Sequence, residues 1–367
     1  MPLLIPSNEQ ALRDNNFDAI RLAMALLVVW SHSFALWFHS ESGEWISLAM
    51  AGTYNAGNLG VLAFFAISGF LITASWQRTR RWQNYLKRRI ARIYPGYLVA
   101  VTLCSLVIVP AFSSRAFGDL HRGEIIGLAS NLLLKNYIIT SDAFGGGAVN
   151  GSLWSIPYEF WCYLGVMALG FSGLLRRRPT FLVIAAGVMA VRVWLDLTGR
   201  HPDGGVLKAI IGVAYFWFNV LPPFALGGAV YIYRDRIPRS GRLLALLAAA
   251  TLIAAHLPLA DPPRLVLTRL LLPPTLVYAI FYLAFDPRIR ARNAARYGDF
   301  SYGTYLYAFP VEQMLIVMLK GIVPFPIYLC AALACSSAAG VASWYLVERW
   351  FLPRARTRAA PVSQPGA

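Results

Sequence analysis

Ten apolar stretches of about twenty residues, near 17–38, 55–76, 93–112, 153–175, 180–197, 209–233, 241–258, 266–285, 302–320 and 326–350, constrain this chain most. Each is long enough to cross a hydrocarbon layer of ~30 Å as a helix. The composition agrees: 57% of residues are hydrophobic, 14% are charged and the mean hydropathy is +0.54, outside the usual range of soluble globular domains. The expected fold is all-α, a polytopic membrane helix bundle of about ten transmembrane helices. It divides into an N-terminal segment (1–16), a membrane domain (17–352) and a disordered tail (353–367).

The net charge of +16 would suggest nucleic acid on a soluble protein. Here the basic residues cluster after every second span, at 78–92, 176–178, 234–242, 288–296 and 349–358. The positive-inside rule puts those connections, and with them both termini, in the cytoplasm. No nucleic-acid partner is expected; membrane lipid is. The first apolar segment is too long for a signal peptide and lacks a small-residue cleavage site, so it is expected to stay in the mature protein. Cys104, Cys162, Cys330 and Cys335 all lie in apolar spans without a Cys-x-x-Cys pair, which points to packing and to no metal site. The longest connection, 113–152, carries its own apolar segment, 125–134, expected to be interfacial or packed over the bundle.

Five polar constellations interrupt the apolar pattern. Arg21 and His32 stand eleven residues apart in the first span. Eleven steps of 100° leave about 20° beyond three full turns, so both project from one face, roughly 16 Å apart along the axis. Ionisable groups at membrane depth cost on the order of 2.5–3.5 kcal/mol each and persist mainly where they face a site or a path. Asp18 is placed to pair with Arg21 at i,i+3. Second, Ser68-Gly69 allows close approach of a backbone or a slim ligand. Third, Arg89-x-x-Arg92, a turn from the start of span three, sets two guanidinium forks at a spacing that suits phosphate, although a purely topogenic cluster would read the same. Fourth, Trp154, Tyr158 and Glu159 open span four. An aromatic belt accounts for the first two, while a carboxylate just inside an apolar helix, at the depth expected for His32, is suited to orienting the imidazole or acting on a hydroxyl. Fifth, Tyr302 to Pro310 opens span nine with a tyrosine-rich run including Tyr305. Its proline frees backbone groups, which is tolerable where they line a cavity, and Glu312 follows it.

Taken in order, Arg21-x10-His32, Phe64 to Leu71, Arg89-x-x-Arg92 with Pro95, Ser152-Leu153-Trp154-Ser155 to Glu159, and Ser301-Tyr302 to Pro310 resemble the acyltransferase-3 family, membrane enzymes that acylate extracytoplasmic glycans. The resemblance implies a ten-helix core passing an acyl group, usually acetyl from acetyl-CoA in the cytoplasm, to a hydroxyl across the membrane. It places the essential histidine on His32, its arginine partner on Arg21 and the Arg-x-x-Arg pair on Arg89 and Arg92. Where many members carry a histidine in span nine, this chain has Ala308, which suggests a different acceptor subset.

The expectation is therefore an acyltransferase of the bacterial inner membrane. His32 and Glu159 are the candidate catalytic residues. Arg21, Arg89, Arg92 and Ser68 would bind acetyl-CoA or another acyl-CoA, and Trp154, Tyr158 and Tyr305 a glycan or glycolipid acceptor. No metal is expected, and a partner in polysaccharide assembly is compatible with the role. The rival readings are a proton-coupled secondary transporter, for which inverted repeats would be expected and none is visible, and a non-catalytic scaffold of a polysaccharide assembly complex.

Overall fold

The computed structural model describes the chain apart from residues 1, 7–11, 13, 80, 115–121, 136–138, 290, 292, 293, 295 and 353–367. The tail expected to be disordered, with Arg354, Arg356 and Arg358, lies outside the described residues, as do Arg80, Arg290 and Arg292. Ten long helices among the described residues carry the architecture: α1 (Phe17–Phe38), α2 (Ala56–Arg78), α3 (Trp82–Leu103), α4 (Ser155–Phe171), α5 (Thr180–Thr198), α6 (Ala214–Ile232), α7 (Gly241–His256), α8 (Pro263–Ala284), α9 (Ser301–Leu319) and α10 (Phe325–Leu346). Each overlaps one of the ten apolar stretches. By length and composition six can cross a membrane: α1, α2, α3 with its continuation to Phe112, α5, α8, and α10 with its continuation to Trp350. The protein is an all-α membrane helix bundle. Its sheet content among the described residues is one two-stranded pairing, Thr140–Ser141 with Gly147–Ala148.

Local chemistry sets several boundaries. Asn55 opens α2 with a reciprocal capping box: its side chain accepts from the Asn58 N–H at 2.7 Å, and its own N–H donates to Asn58 Oδ1 at 3.2 Å. Ser240 caps α7 through the Leu243 N–H at 3.2 Å. The start of α3 differs from the apolar count: the helix begins at Trp82, ahead of the stretch near 93–112, because Lys87, Arg88 and Arg89 are good helix formers and extend the apolar segment with a basic first half. The 125–134 segment forms a helix, Arg122–Leu132, that packs along α3: Tyr94 OH donates to the Leu132 carbonyl at 2.6 Å and Tyr97 OH to Asn131 Oδ1 at 2.9 Å.

Helix α2 is the central element, packed against α1, α4, α6 and α8. Its closest approach is to α6, where two glycines interlock: a Cβ on Gly69 would collide with the Phe224 carbonyl oxygen, and one on Gly227 with the Ala66 carbonyl. Small residues let membrane helices meet backbone to backbone, so the Ser68-Gly69 step serves packing through its glycine. We expect Gly69→Val to force α2 and α6 apart at a cost of about 3 kcal/mol or more. A lowered Tm of the purified protein in detergent would show this, and an unchanged Tm would remove the crossing from the stability determinants.

Candidate active site

A cavity of about 80 Å³ opens between α1, α2, α3, α4 and α9, lined by Arg21, Ser68, Arg89, Arg92, Glu159, Tyr163, Ser301, Tyr302 and Tyr305 together with apolar residues of α2. On α2 its lining runs from Val61 to Ile72, a length of roughly 16 Å, so it is narrow and elongated along the helix. The break at Pro95-Gly96 shapes one wall. Without a side chain at Gly96, α9 comes close enough for Tyr302 to lie 2.9 Å from where a Cβ would stand, and Tyr302 OH donates to the Ile93 carbonyl at 2.7 Å.

Three arginines enter the cavity, and they are not equivalent. Asp299, just before α9, takes Arg92 Nη2 at 2.5 Å and Arg21 Nη1 at 3.3 Å, while Arg21 also meets Asp18 at 3.0 Å. Burial pushes the Asp299 carboxyl up, but Arg92 and then Arg21 outweigh it and hold its pKa down at about 2. Arg92 and Arg21 are thus bound to one carboxylate. Arg89 has no ion pair among the described residues; its Nε is buried without a hydrogen-bond partner and its guanidinium lies 5.8 Å from the Tyr163 ring centroid. Arg89 is the cavity's uncommitted cation. Facing it, Glu159 accepts from Tyr163 OH at 2.7 Å and from Ser68 Oγ, and Ser155 shares a 2.8 Å hydrogen bond with Tyr305 OH.

His32 does not line this cavity. A Cβ on Gly57 would stand 3.0 Å from Ser31 Oγ, which sets His32 near the level of Gly57, about one turn beyond the Val61 end of the cavity. Its partner is Glu312 of α9: His32 Nδ1 lies 3.7 Å from Glu312 Oε2, and Ser33 Oγ donates to Glu312 Oε1 at 2.7 Å. Glu312 is fully buried, while the His32 side chain keeps 20% exposure. His32 Nδ1, Glu312 Oε2 and Tyr328 OH are all buried without a hydrogen-bond partner, an expensive arrangement that a hydroxyl-bearing ligand or water relieves.

The proline of α9 organises this half of the site. Pro310 cannot donate to the Leu306 carbonyl four residues back; Asn150 Nδ2 does so instead, at 2.8 Å, and Gln313 Nε2 donates to the Val149 carbonyl at 2.9 Å. The connection before α4 is thereby docked on α9, with Gly151 against Phe309 and the Phe309 ring edge-on to His32, centroids 5.1 Å apart.

The family model for this acyltransferase domain matches residues 14–343. The chain belongs to the acyltransferase-3 family. This acyltransferase, which transfers groups other than aminoacyl, is 29% identical over 351 residues to an O-acetyl transferase of Shigella phage Sf6, an alignment covering 93% of this chain and 97% of the relative. It is 25% identical over 335 residues to Nodulation protein 10 of Rhizobium leguminosarum bv. viciae (85% and 87% covered) and 25% identical over 321 residues to Acyltransferase MdmB of Streptomyces mycarofaciens (82% and 80%). No solved structure matches it significantly.

Of the residues singled out in the sequence of this acyltransferase, the fold gathers Arg21, Arg89, Arg92, Ser68, Glu159 and Tyr305 around one cavity. Glu159 is engaged by Ser68 and Tyr163, so the orientation of His32 falls to Glu312 and not to Glu159. Trp154 and Tyr158 are not among the cavity-lining residues. They stack with Phe216, and Tyr158, fully buried, donates to the Val213 carbonyl at 2.9 Å. Ala308 is buried beside Val29, Tyr328 and Ala332, filling the contact of α9 with α1 and α10. Asp299 and Glu312 were not assigned to the site from sequence. For Glu312 the signal was present, an acid inside an apolar helix; for Asp299, a loop acid beside a helix start, it was not. No group of three or more His, Cys, Asp or Glu able to hold a metal occurs among the described residues.

Proposed function

We propose that the protein transfers an acyl group, acetyl in the first instance, from acyl-CoA in the cytoplasm to a hydroxyl of a carbohydrate or glycolipid on the far side of the bacterial inner membrane, with α1 to α10 crossing the bilayer and both termini in the cytoplasm. The observation that carries this is the division of labour along the bundle: an uncommitted arginine in a narrow cavity towards the start of α1, and an imidazole–carboxylate pair about three turns further along it. A phosphate-rich coenzyme suits Arg89, and the slim cavity suits an extended pantetheine arm running towards Tyr305. Placing α1 with its start in the cytoplasm follows from the sequence, in which the basic residues cluster after every second apolar stretch.

At the other end, Glu312 holds the Nδ1 side of the imidazole and leaves Nε2 as the base. The acceptor hydroxyl gives its proton to Nε2 as its oxygen attacks the thioester carbonyl; the C–S bond breaks, and the thiolate recovers the proton from the imidazolium. Atoms and charge balance without a further reagent. The relatives acting as an O-acetyl transferase and as an acyltransferase support this chemistry.

The test is direct. Membrane nanodiscs of the purified protein, given radiolabelled acetyl-CoA and total surface glycan of the host, should release free CoA thiol and label the glycan. Arg89→Gln should raise the acetyl-CoA KM about tenfold, consistent with loss of one charge-assisted contact, with kcat little changed. Absence of thiol release with every acyl-CoA offered would overturn the donor assignment.

A further inference from the structure

A second polar cluster lies at the end of the bundle where α1 finishes, the His32 end, and takes no part in the chemistry above. It is built from the last turns of α5, the first turns of α6 and α8, and Tyr54 ahead of α2. Among the described residues Asp196 is its only carboxylate: Arg192 Nε donates to both of its oxygens at 3.0 and 2.9 Å, Arg269 Nη1 to Oδ1 at 2.7 Å and Tyr215 OH to Oδ1 at 3.3 Å. Two guanidinium groups against one carboxylate leave one positive charge unbalanced.

The two arginines are used differently. Arg192 is 6% exposed and committed, with Asp196 on Nε, Asn219 Oδ1 on Nη1, Tyr215 OH on Nη2 at 2.8 Å and the Tyr215 ring 4.3 Å away. It staples α5 to α6. Arg269 makes one contact, to Asp196, and its side chain keeps 22% exposure. Its remaining donors are free among the described residues. Arg192 also fixes the Asn219 amide: with Oδ1 turned to the guanidinium, Nδ2 is left as a donor. Tyr54 OH adds a third donor. Arg269, Asn219 and Tyr54 all line one notch with Arg192 and Asp196, and its interior holds only about 10 Å³, room for one water-sized group.

The backbone points the same way. Pro222 and Pro223 cannot donate to the carbonyls of Phe218 and Asn219, and Pro273 and Pro274 cannot donate to those of Arg269 and Leu270. Those four residues, with Pro222 and Pro273, line the same notch. Paired helix breaks facing each other in a membrane bundle are tolerated where they border a polar site, and matched proline interruptions are a pointer to ligand binding.

We propose that this notch is an oxyanion subsite for the acceptor: it receives one oxygen of a carboxylate or phosphate group carried by the carbohydrate substrate, held by Arg269, Asn219 and Tyr54. The unbalanced charge selects an anion, the convergence of donors, with three already on Asp196 Oδ1, selects an oxygen acceptor, and the small interior selects the tip of a substituent over a sugar ring. The subsite rests on the functional reading above for the identity of its ligand, so its test is made without donor and without turnover.

The purified full-length protein is titrated in detergent with an oligogalacturonate, with its carboxyl-reduced neutral counterpart and with inorganic phosphate, following Tm, since a ligand of the folded state raises Tm as it saturates. At least one anion is expected to shift Tm saturably, with an apparent Kd at least tenfold below that of the neutral oligosaccharide; a response to the oligogalacturonate alone names an acidic sugar, and a response to phosphate a phosphorylated acceptor. Arg269→Gln should abolish the shift, while coenzyme A still stabilises the variant. Tyr54→Phe, which removes only the third donor, should weaken it severalfold and decides the matter if Arg269→Gln does not fold. Equal effects of charged and neutral oligosaccharides, no effect of either anion, a shift that persists in a folded Arg269→Gln, or an unchanged response in Tyr54→Phe where Arg269→Gln does not fold would overturn the subsite. Acyl transfer that persists when the anion shift fails leaves the enzyme reading standing, and an anion shift without any transfer does the reverse.

Discussion

His32→Ala is expected to lower acyl transfer by at least about 100-fold while leaving the protein folded, because general-base catalysis contributes roughly 10²–10⁴ and the ring sits in a partly open position against Phe309, where truncation opens little of the core. Initial rates at saturating acetyl-CoA, with Tm as the folding control, make the measurement. The companion variant Glu312→Gln keeps the shape and the Ser33 hydrogen bond but removes the carboxylate facing Nδ1. It should reduce kcat about 10- to 100-fold, and the double variant should be no slower than His32→Ala alone, since residues acting as one unit are non-additive. Additive losses would place Glu312 in a separate structural role, and near-normal turnover by His32→Ala would remove the imidazole from the reaction.

The second large effect separates Arg92 from Arg89. The sequence presents them as one Arg-x-x-Arg pair, yet Asp299 claims Arg92 and leaves Arg89 without an ion pair among the described residues. Replacing Arg92 by Ala strips a 13%-exposed carboxylate of its closest partner, leaving Arg21 at 3.3 Å, and should destabilise the protein by about 2–3 kcal/mol. Arg89→Ala should leave Tm nearly unchanged and act on donor KM. The same ion pairs carry a pH signature. Because the Asp299 pKa is held at about 2, below its ordinary value, its contribution to stability is complete above about pH 4 and is lost as pH falls through 2. At neutral pH it amounts to roughly 2 kcal/mol, so wild type should lose more stability on acidification than Arg92→Ala. Thermal unfolding at pH 7 and pH 3 checks this; parallel curves would show that Asp299 gains little from Arg92.

Particular residues show where the sequence is legible. The six helices long and apolar enough to cross a membrane could be located because lipid removes the alternatives: a run of about twenty apolar residues has one low-energy backbone arrangement there, whatever it packs against. Arg21 and His32 could be placed on one stripe because helical phase is local arithmetic, and Arg21 does enter the cavity. Pro310 could be read as freeing a backbone carbonyl, but not that Asn150, 156 residues away from Leu306, would satisfy it. Glu159 looked like the partner of His32 from depth alone. The structure puts the two at different depths: Glu159 meets Ser68, eleven residues and roughly 16 Å along α2 from the Gly57 level of His32, because how deep a helix start sits is set by its packing and not by its apolar length alone.

What the sequence by itself determined is the membrane helix bundle, the polar residues that interrupt it and membership of an acyltransferase family, because hydrophobic length, charge distribution and motif order are properties of the chain read in one dimension. Only the tertiary structure decided which ionisable groups pair between helices: Asp299 with Arg92 and Arg21, Glu312 with His32, Asp196 with Arg269. The physical reason is range. Burial of a span is settled within the span, whereas an ion pair depends on a few ångströms between helices far apart in sequence, and those distances are set by packing contacts such as Gly69 on Phe224 and Gly96 on Tyr302.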